Sequence, residues 1–279
     1  MKDISIKIGK IIGWSLLGIL LFAFSLEIFG AWHDEWSGYN ASMYVSDGTC
    51  NIAVIPVQGE VIGYETLYSE ADSHDSVSPE DVRLALSRAE SDPYIAGILT
   101  RLDSHGGSPV GGEAITDAFM QSSMPVVALV GDYAASSGYM IATGADTIIA
   151  SPFSDIGSIG VTMSYLDMSK SNSDLGYEFV DLSSAPYKDY GNPDRPLTAQ
   201  EKALLKRDLA IYHDAFVAMV AKNRDMPIEE VTKLADGSSM PANLALEAGL
   251  IDSIGNTETA KAWFAAQLGI SEEEVVFCE

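Results

Sequence analysis

Basic residues are scarce in this 279-residue chain: 16 Lys and Arg stand against 40 Asp and Glu, for a net charge of −24. That shortage argues against nucleic acid, and against ligands carrying several phosphates, since both need a cationic surface. The acidity reads instead as a device for solubility or for a saline habitat. Cysteine is scarcer still. Cys50 and Cys278 are too few for a disulfide scaffold and lack metal-ligand spacing. They form one bridge if both lie outside the cytoplasm, or remain two free thiols; sequence does not choose. Of the four histidines, His33, His74 and His213 fall in a connector, a polar loop and a helix, as surface residues do. There is no internal repeat, so the chain carries one copy of its domain.

Long apolar runs are also few, and one stands apart. Ile11 to Trp32 reads IIGWSLLGILLFAFSLEIFGAW, with Glu27 its only charge. A bilayer core takes about 20 apolar residues as a helix, so this run suffices as an anchor. A cleaved signal peptide would have an apolar region of only about 7 to 15 residues and a small-x-small site after it. No such site follows. Trp14 and Trp32 flank the span, Lys2, Lys7 and Lys10 precede it, and HDEW (33–36) follows it. The excess of cations before the span places residues 1–10 in the cytoplasm, and everything beyond on the extracytoplasmic side of the cell membrane. The expected layout is thus a cytoplasmic N-terminus (1–10), a transmembrane anchor (11–32), a connector (33–49) and a catalytic domain (50–279).

Beyond the connector the pattern predicts strands alternating with helices. NIAVIPVQGEVIG (51–63) reads as a strand and turn, and the acidic, Ser-rich stretch from Tyr64 to Ser78 as a mobile loop. SPEDVRLALSRAESD opens a helix with Ser78 as N-cap and Pro79 in its first turn. Then come YIAGILTRL as a strand, a Gly-rich loop at Ser104 to Ser108, a helix through EAITDAFMQ, PVVALVG as a strand, a helix from about Ser136, and DTIIAS as a strand. YEFVDLS (177–183) predicts a further strand. A Thr198-x-x-Glu201 capping box announces a long helix, two shorter helices follow, and EEVVFC predicts a closing strand. Short apolar strands interleaved with helices indicate an α/β fold with a mostly parallel sheet covered on both sides.

In such sheets ligands bind beyond the carboxyl ends of the strands. Two loops expected there carry chemistry. In LDSHGGSP (102–109) paired glycines let backbone amides approach a ligand. In GDYAASSGY (131–139) a serine sits where a helix begins, with free amides able to face an anion. One loop could give an oxyanion-hole amide, and the other a nucleophile and a second amide.

With both loops in this order, the block GDYAASSGYMIATGADTIIASPFSDIGSIGV resembles the core signature of the signal peptide peptidase A family of serine peptidases, which share the fold of Clp protease and the crotonases. LDSHGGSP resembles that family's Gly-Gly loop, YKDYGNPDRPLTAQEK (187–202) its lysine segment, and ALEAGLIDSIG (245–255) its late helix-turn. The resemblance implies Ser136 as nucleophile, Lys188 as general base, and the backbone amides of Gly107 and Ser137 as the oxyanion hole, with no metal or cofactor. It also implies peptide substrates such as released signal peptides and other apolar segments at the membrane, and a ring-like homo-oligomer in which serine and lysine come from neighbouring subunits.

A lysine can serve as base only when desolvation favours its neutral amine. Asp189, next to Lys188, would oppose this unless it faces the other way. The sequence departs from the family pattern in three places: DGSSMPANLA (236–245) lacks the usual Gly-Arg and aromatic residues, Ser137 replaces a glycine, and His105 stands where proline is usual. The last change opens a Ser-His reading, with Asp103 or Asp132 orienting His105. Two other functions compete, crotonase-like acyl-CoA chemistry and an inactive membrane scaffold. The acidic charge weighs against the first, and the intact Ser136, Lys188 and Gly-Gly set against the second.

Overall fold

The computed structural model describes residues 46, 48–64 and 76–278. The expected anchor (11–32), and most of the connector and of the loop after Gly63, lie outside the described residues. Among the described residues no helix is long and apolar enough to cross a membrane.

The strands are β1 (Ile52–Val61), β2 (Ser76–Val77), β3 (Gly97–Gly107), β4 (Val126–Ala135), β5 (Thr147–Ala150), β6 (Asp155–Gly157), β7 (Ser239–Pro241), β8 (Ser253–Ile254) and β9 (Phe277–Cys278). The helices are α1 (Pro79–Ser91), α2 (Pro109–Met120), α3 (Ser137–Ala142), α4 (Ser169–Asp174), α5 (Ala199–Asn223), α6 (Ile228–Leu234), α7 (Ala242–Glu247) and α8 (Thr257–Leu268). The main sheet runs β2-β1-β3-β4-β5-β8, all parallel. β6 continues beside the far end of β4, and β7 pairs antiparallel with β6. This is the α/β fold with a mostly parallel sheet that the sequence predicts.

Strands covered on both faces must be apolar on both, and β3 is: Ile98, Leu99 and Leu102 are all buried. On one face Ile52, Val54, Leu99, Val127 and Ile149 pack with Ala260 and Phe264 of α8. Truncating Phe264 to alanine there would cost about 3–5 kcal/mol. On the other, α1 and α2 contribute buried Val82, Leu86, Ile115 and Phe119. The helix starts follow from local chemistry. Ser78 with Asp81 and Thr198 with Glu201 form capping boxes that satisfy first-turn amides.

Three expectations change. The Gly-rich segment at Ser104 to Ser108 is strand up to Gly107, because β3 stays in register with β1 as far as Val61↔Gly107. YEFVDLS is irregular rather than a strand. Its alternating apolar residues find no neighbouring strand among the described residues, so Tyr177, Val180 and Leu182 stay exposed. Third, the closing strand shrinks to Phe277–Cys278, which pairs with the start of β1, and three helices, α6, α7 and α8, follow α5 where two were expected.

Cys50 and Cys278 are joined as a disulfide, with Cα atoms 5.2 Å apart across 228 residues of sequence. The bridge ties the entry of β1 to β9 and so staples the two ends of the described domain.

Candidate active site

The site lies where β3 and β4 end. Their ladder is interrupted just before it: Leu102 pairs with Val130 but Ser104 with Ala134, so β4 carries extra residues between. Asp103 braces this irregularity by accepting the Tyr133 N–H through Oδ1 at 3.0 Å. Beyond the bulge β4 pairs with β6 up to Ala135↔Gly157, and the Ser136 N–H donates to Gly157 O at 2.8 Å. The chain then turns sharply into α3.

Ser136 is at that turn, with φ 54° and ψ −126°. A non-glycine residue in this region carries strain on the order of 1–3 kcal/mol, which persists only where neighbours enforce it. Here the neighbours are glycines. Gly106 has φ +104°, and a Cβ on it would lie 2.7 Å from Ser136 Cβ and 3.0 Å from Ser137 N. Gly107 has φ +147°, and a Cβ there would lie 2.2 Å from Val61 O. No side chain fits at either position, so the Gly-Gly pair is what allows the serine turn to seat on β3. Ser104 holds the loop from below: its Oγ donates to Gly59 O at 2.6 Å and accepts the Gly106 N–H at 3.1 Å.

The two serines differ in kind. Ser136 is half-buried, and its hydroxyl makes no hydrogen bond among the described residues. Ser137 is 2% exposed, and its hydroxyl is buried without a partner among the described residues. Its Cβ faces α2, where a Cβ on Gly112 would come within 2.8 Å of it. Ser137 therefore offers no hydroxyl to a ligand. Its backbone N–H, as the first amide of α3, has no intrahelical acceptor. The Ser108 N–H donates to Val61 O at 2.6 Å, and successive amides alternate along a strand. The Gly107 N–H is thus directed away from β1, to the side where β4 delivers Ser136.

Behind the turn α3 is anchored in the core. Tyr139 is fully buried, and its hydroxyl donates to Leu250 O at 2.8 Å; burial pushes its ionisation far above the ordinary phenol range. Arg224 donates to Gly249 O and to the Asp252 carboxylate, which in turn accepts the Ile148 N–H at 2.7 Å. The Ser-Gly-Tyr spacing marked Tyr139 as part of the motif, but nothing in the sequence marked Ser104, Asp103 or Arg224 as its supports.

Lys188, the expected base, makes no hydrogen bond to Ser136. It is exposed, lies in a turn between α4 and α5, and its side chain forms no hydrogen bond or ion pair among the described residues. Its neighbour Asp189 accepts from Asn192 at 3.1 Å and lies 3.7 Å from Arg195, which also makes a pair of hydrogen bonds to Glu201. Hydrogen bonds from Arg195 and the Thr198 N–H hold the Glu201 carboxyl down at about 2. Asp189 is thereby committed to this network. His105 is exposed, and its ring stacks on Tyr133 with centroids 3.8 Å apart. It makes no hydrogen bond to Ser136, Asp103 or Asp132. No His, Cys, Asp or Glu cluster among the described residues could hold a metal ion.

The family model of peptidase family S49 matches residues 118–271, which include both serines, Lys188 and the late helices. The chain belongs to peptidase family S49. A relative from Synechocystis sp., named "Putative protease slr0021", is 35% identical over 193 residues, which cover 68% of this chain and 69% of the relative. "Serine protease SPPA, chloroplastic" of Arabidopsis thaliana is 28% identical over 234 residues, 82% of this chain but 34% of that longer protein. Among solved structures, a point mutant of the "1510-N membrane-bound stomatin-specific protease" superposes with a TM-score of 0.51 at 18% identity, over 77% of this chain and 84% of that one. At that identity the likeness shows the fold alone. The S49 chain is a serine peptidase of the signal peptide peptidase A group, as its Ser-Gly-Tyr block implied.

Proposed function

We propose that the S49 chain is a membrane-anchored endopeptidase that cleaves released signal peptides and other apolar segments at the extracytoplasmic face of the cell membrane, using a Ser136/Lys188 dyad. The observation that carries the reading is the enforced turn at Ser136, which seats on the Gly106–Gly107 pair and leaves its hydroxyl without a hydrogen bond among the described residues. In the first step Lys188, as neutral amine, removes the Ser136 proton as Oγ attacks the scissile carbonyl. The oxyanion accepts hydrogen bonds from the Gly107 and Ser137 N–H groups. The lysine ammonium then gives its proton to the departing amine, leaving an acyl-enzyme. Lys188 next deprotonates a water, whose oxygen attacks the ester, and the proton returns to Ser136 as the acid product leaves. No metal or cofactor takes part.

A lysine exposed to water is a poor base, because only burial favours its neutral form. Lys188 is exposed in the single chain, and its side chain has no hydrogen bond or ion pair among the described residues. Both facts support a ring-like homo-oligomer in which the lysine segment of one copy covers, and is buried by, the serine site of the next. The apolar span at 11–32 with lysines before it supports the anchor, and the Cys50–Cys278 bridge supports an oxidising, extracytoplasmic location.

Hydrolysis of quenched fluorescent apolar peptides by the detergent-solubilised protein tests the dyad. Ser136→Ala and Lys188→Ala are each expected to lose about 10⁴-fold or more in kcat. Survival of Lys188→Ala with loss in His105→Ala would replace the base with histidine. Activity in Ser136→Ala would remove the nucleophile assignment.

A further inference from the structure

His105 directly precedes Gly106, on which Ser136 packs, and strand alternation sends it to the same exposed face of β3 as Gly107. Its ring does not act as a hydrogen-bonding group: it lies against Tyr133, three residues before Ser136, with one face on the phenol and the residue open to solvent. An aromatic pair left uncovered within a few residues of a reacting serine is a surface that a bound substrate must cross.

The register shows what surrounds the pair. Tyr133 pairs with Asp155 of β6, so their side chains share a face. Asp132 precedes Tyr133 in the bulge. Neither Asp132 nor Asp155 has an ion-pair or hydrogen-bond partner for its carboxylate among the described residues. Asp103, also on this face, is occupied by the Tyr133 N–H. The nearest cation along the strand, Arg101, lies four residues before His105. A stacked ring surface bordered by unpaired carboxylates attracts a flat cation more strongly than a neutral ring or an aliphatic chain.

We propose that His105 and Tyr133 form a substrate subsite of the S49 peptidase, taking an arginine side chain of the peptide close to the scissile bond by stacking its guanidinium on the His105 ring. The proposal rests on Ser136 being the nucleophile, since that is what puts the pair beside the reacting carbonyl. It assigns His105 to substrate selection and leaves proton transfer to the dyad.

The test uses the full-length protein and two peptide sets that differ at single positions within four residues of the cleavage point, one with arginine and one with citrulline, its uncharged isostere. At the position that meets the pair, arginine should raise kcat/KM about fivefold over citrulline, chiefly through KM. His105→Ala and, separately, Tyr133→Leu should bring that ratio to about one. The same comparison is made by fluorescence anisotropy with Ser136→Ala protein, where arginine peptides should bind about fivefold tighter than citrulline peptides. Hydrolysis with equal arginine and citrulline values at every position overturns the subsite and leaves the peptidase reading standing. An arginine preference that survives in both variants also overturns it. If the wild-type protein cleaves nothing, the peptidase reading fails, and the anisotropy ratio still decides whether the pair holds arginine.

Discussion

The ends of β3 and β4 and the segment between β6 and α5 contrast in almost every physical respect. At the strand ends the backbone is held by a set of directed contacts. Ser104 holds Gly106, Asp103 holds Tyr133, Gly106 seats Ser136, and Tyr139 locks α3 onto Leu250. From residue 161 to 196 the chain is mostly exposed, contains one short helix, and leaves Leu166, Leu175, Tyr177, Val180 and Leu182 in solvent, the last at 94% exposure. The first region is a preorganised serine turn that one chain builds unaided. The second carries Lys188 and has too little buried surface to hold it in place. So many exposed large apolar residues in one segment suit a surface that something covers, and here the proposed occupant is the next copy of the same chain.

The strongest way to break this contrast is to spoil the exposed segment alone. Leu182→Asp should lower peptidase activity by at least about thirtyfold, the scale of an interface hot spot. Because the residue makes no core contact, the stability of the dissociated chain should change little, within about 0.5 kcal/mol by urea unfolding. Sedimentation velocity at matched concentration should show the assembly shifting to smaller species. Retained assembly and activity would make the segment an ordinary loop.

The next effect belongs to the rigid region. Reducing the Cys50–Cys278 bridge, or replacing both residues with serine, frees the ends of a loop spanning 228 residues and should cost about 2–5 kcal/mol in urea unfolding. The strand ends at Ser136 should keep their geometry until global unfolding, since β1 remains paired with β3 throughout.

The smallest effect lies between the two regions, in the network at the start of α5. Glu201 is ionised down to about 2 in the folded chain, against 4.5 for its ordinary value. A carboxyl held low contributes stability that is complete above pH 4.5 and is lost as pH falls through about 2. The thermal unfolding midpoint should therefore fall across that window, and Glu201→Gln should flatten this part of the profile. An unchanged slope would mean that the Arg195–Glu201 pair adds nothing to the lysine-bearing segment.

Much of this contrast was legible in the residues. Period-2 and continuous apolar runs located β1, β3, β4 and β5, and Ser78 and Thr198 announced their helices through capping boxes, because these signals depend on neighbours in sequence. The Gly-Gly pair and the Ser-Ser-Gly-Tyr run indicated the serine turn for a similar reason: glycines at φ +104° and +147° and a serine at a helix start are local demands. What failed was non-local. YEFVDLS alternates as a strand does, but an alternating run becomes a strand only beside a partner, and the described residues supply none. The strand running on to Gly107 was hidden because glycine and serine weaken strand propensity, while pairing with β1 overrides it. The resemblance assigned Ser136, whereas the burial of the Ser137 side chain against Gly112, far away in sequence, had no local signal.

The decisive measurement is complementation between two inactive chains. Ser136→Ala and Lys188→Ala proteins are dissociated, mixed in equal amounts and reassembled, and peptide hydrolysis is followed. If each site draws its serine from one copy and its lysine from the next, the mixture should recover about a quarter of wild-type activity, since that share of neighbouring pairs carries both intact residues. A mixture that stays inactive, in assemblies verified to contain both chains, would contradict a site shared between copies.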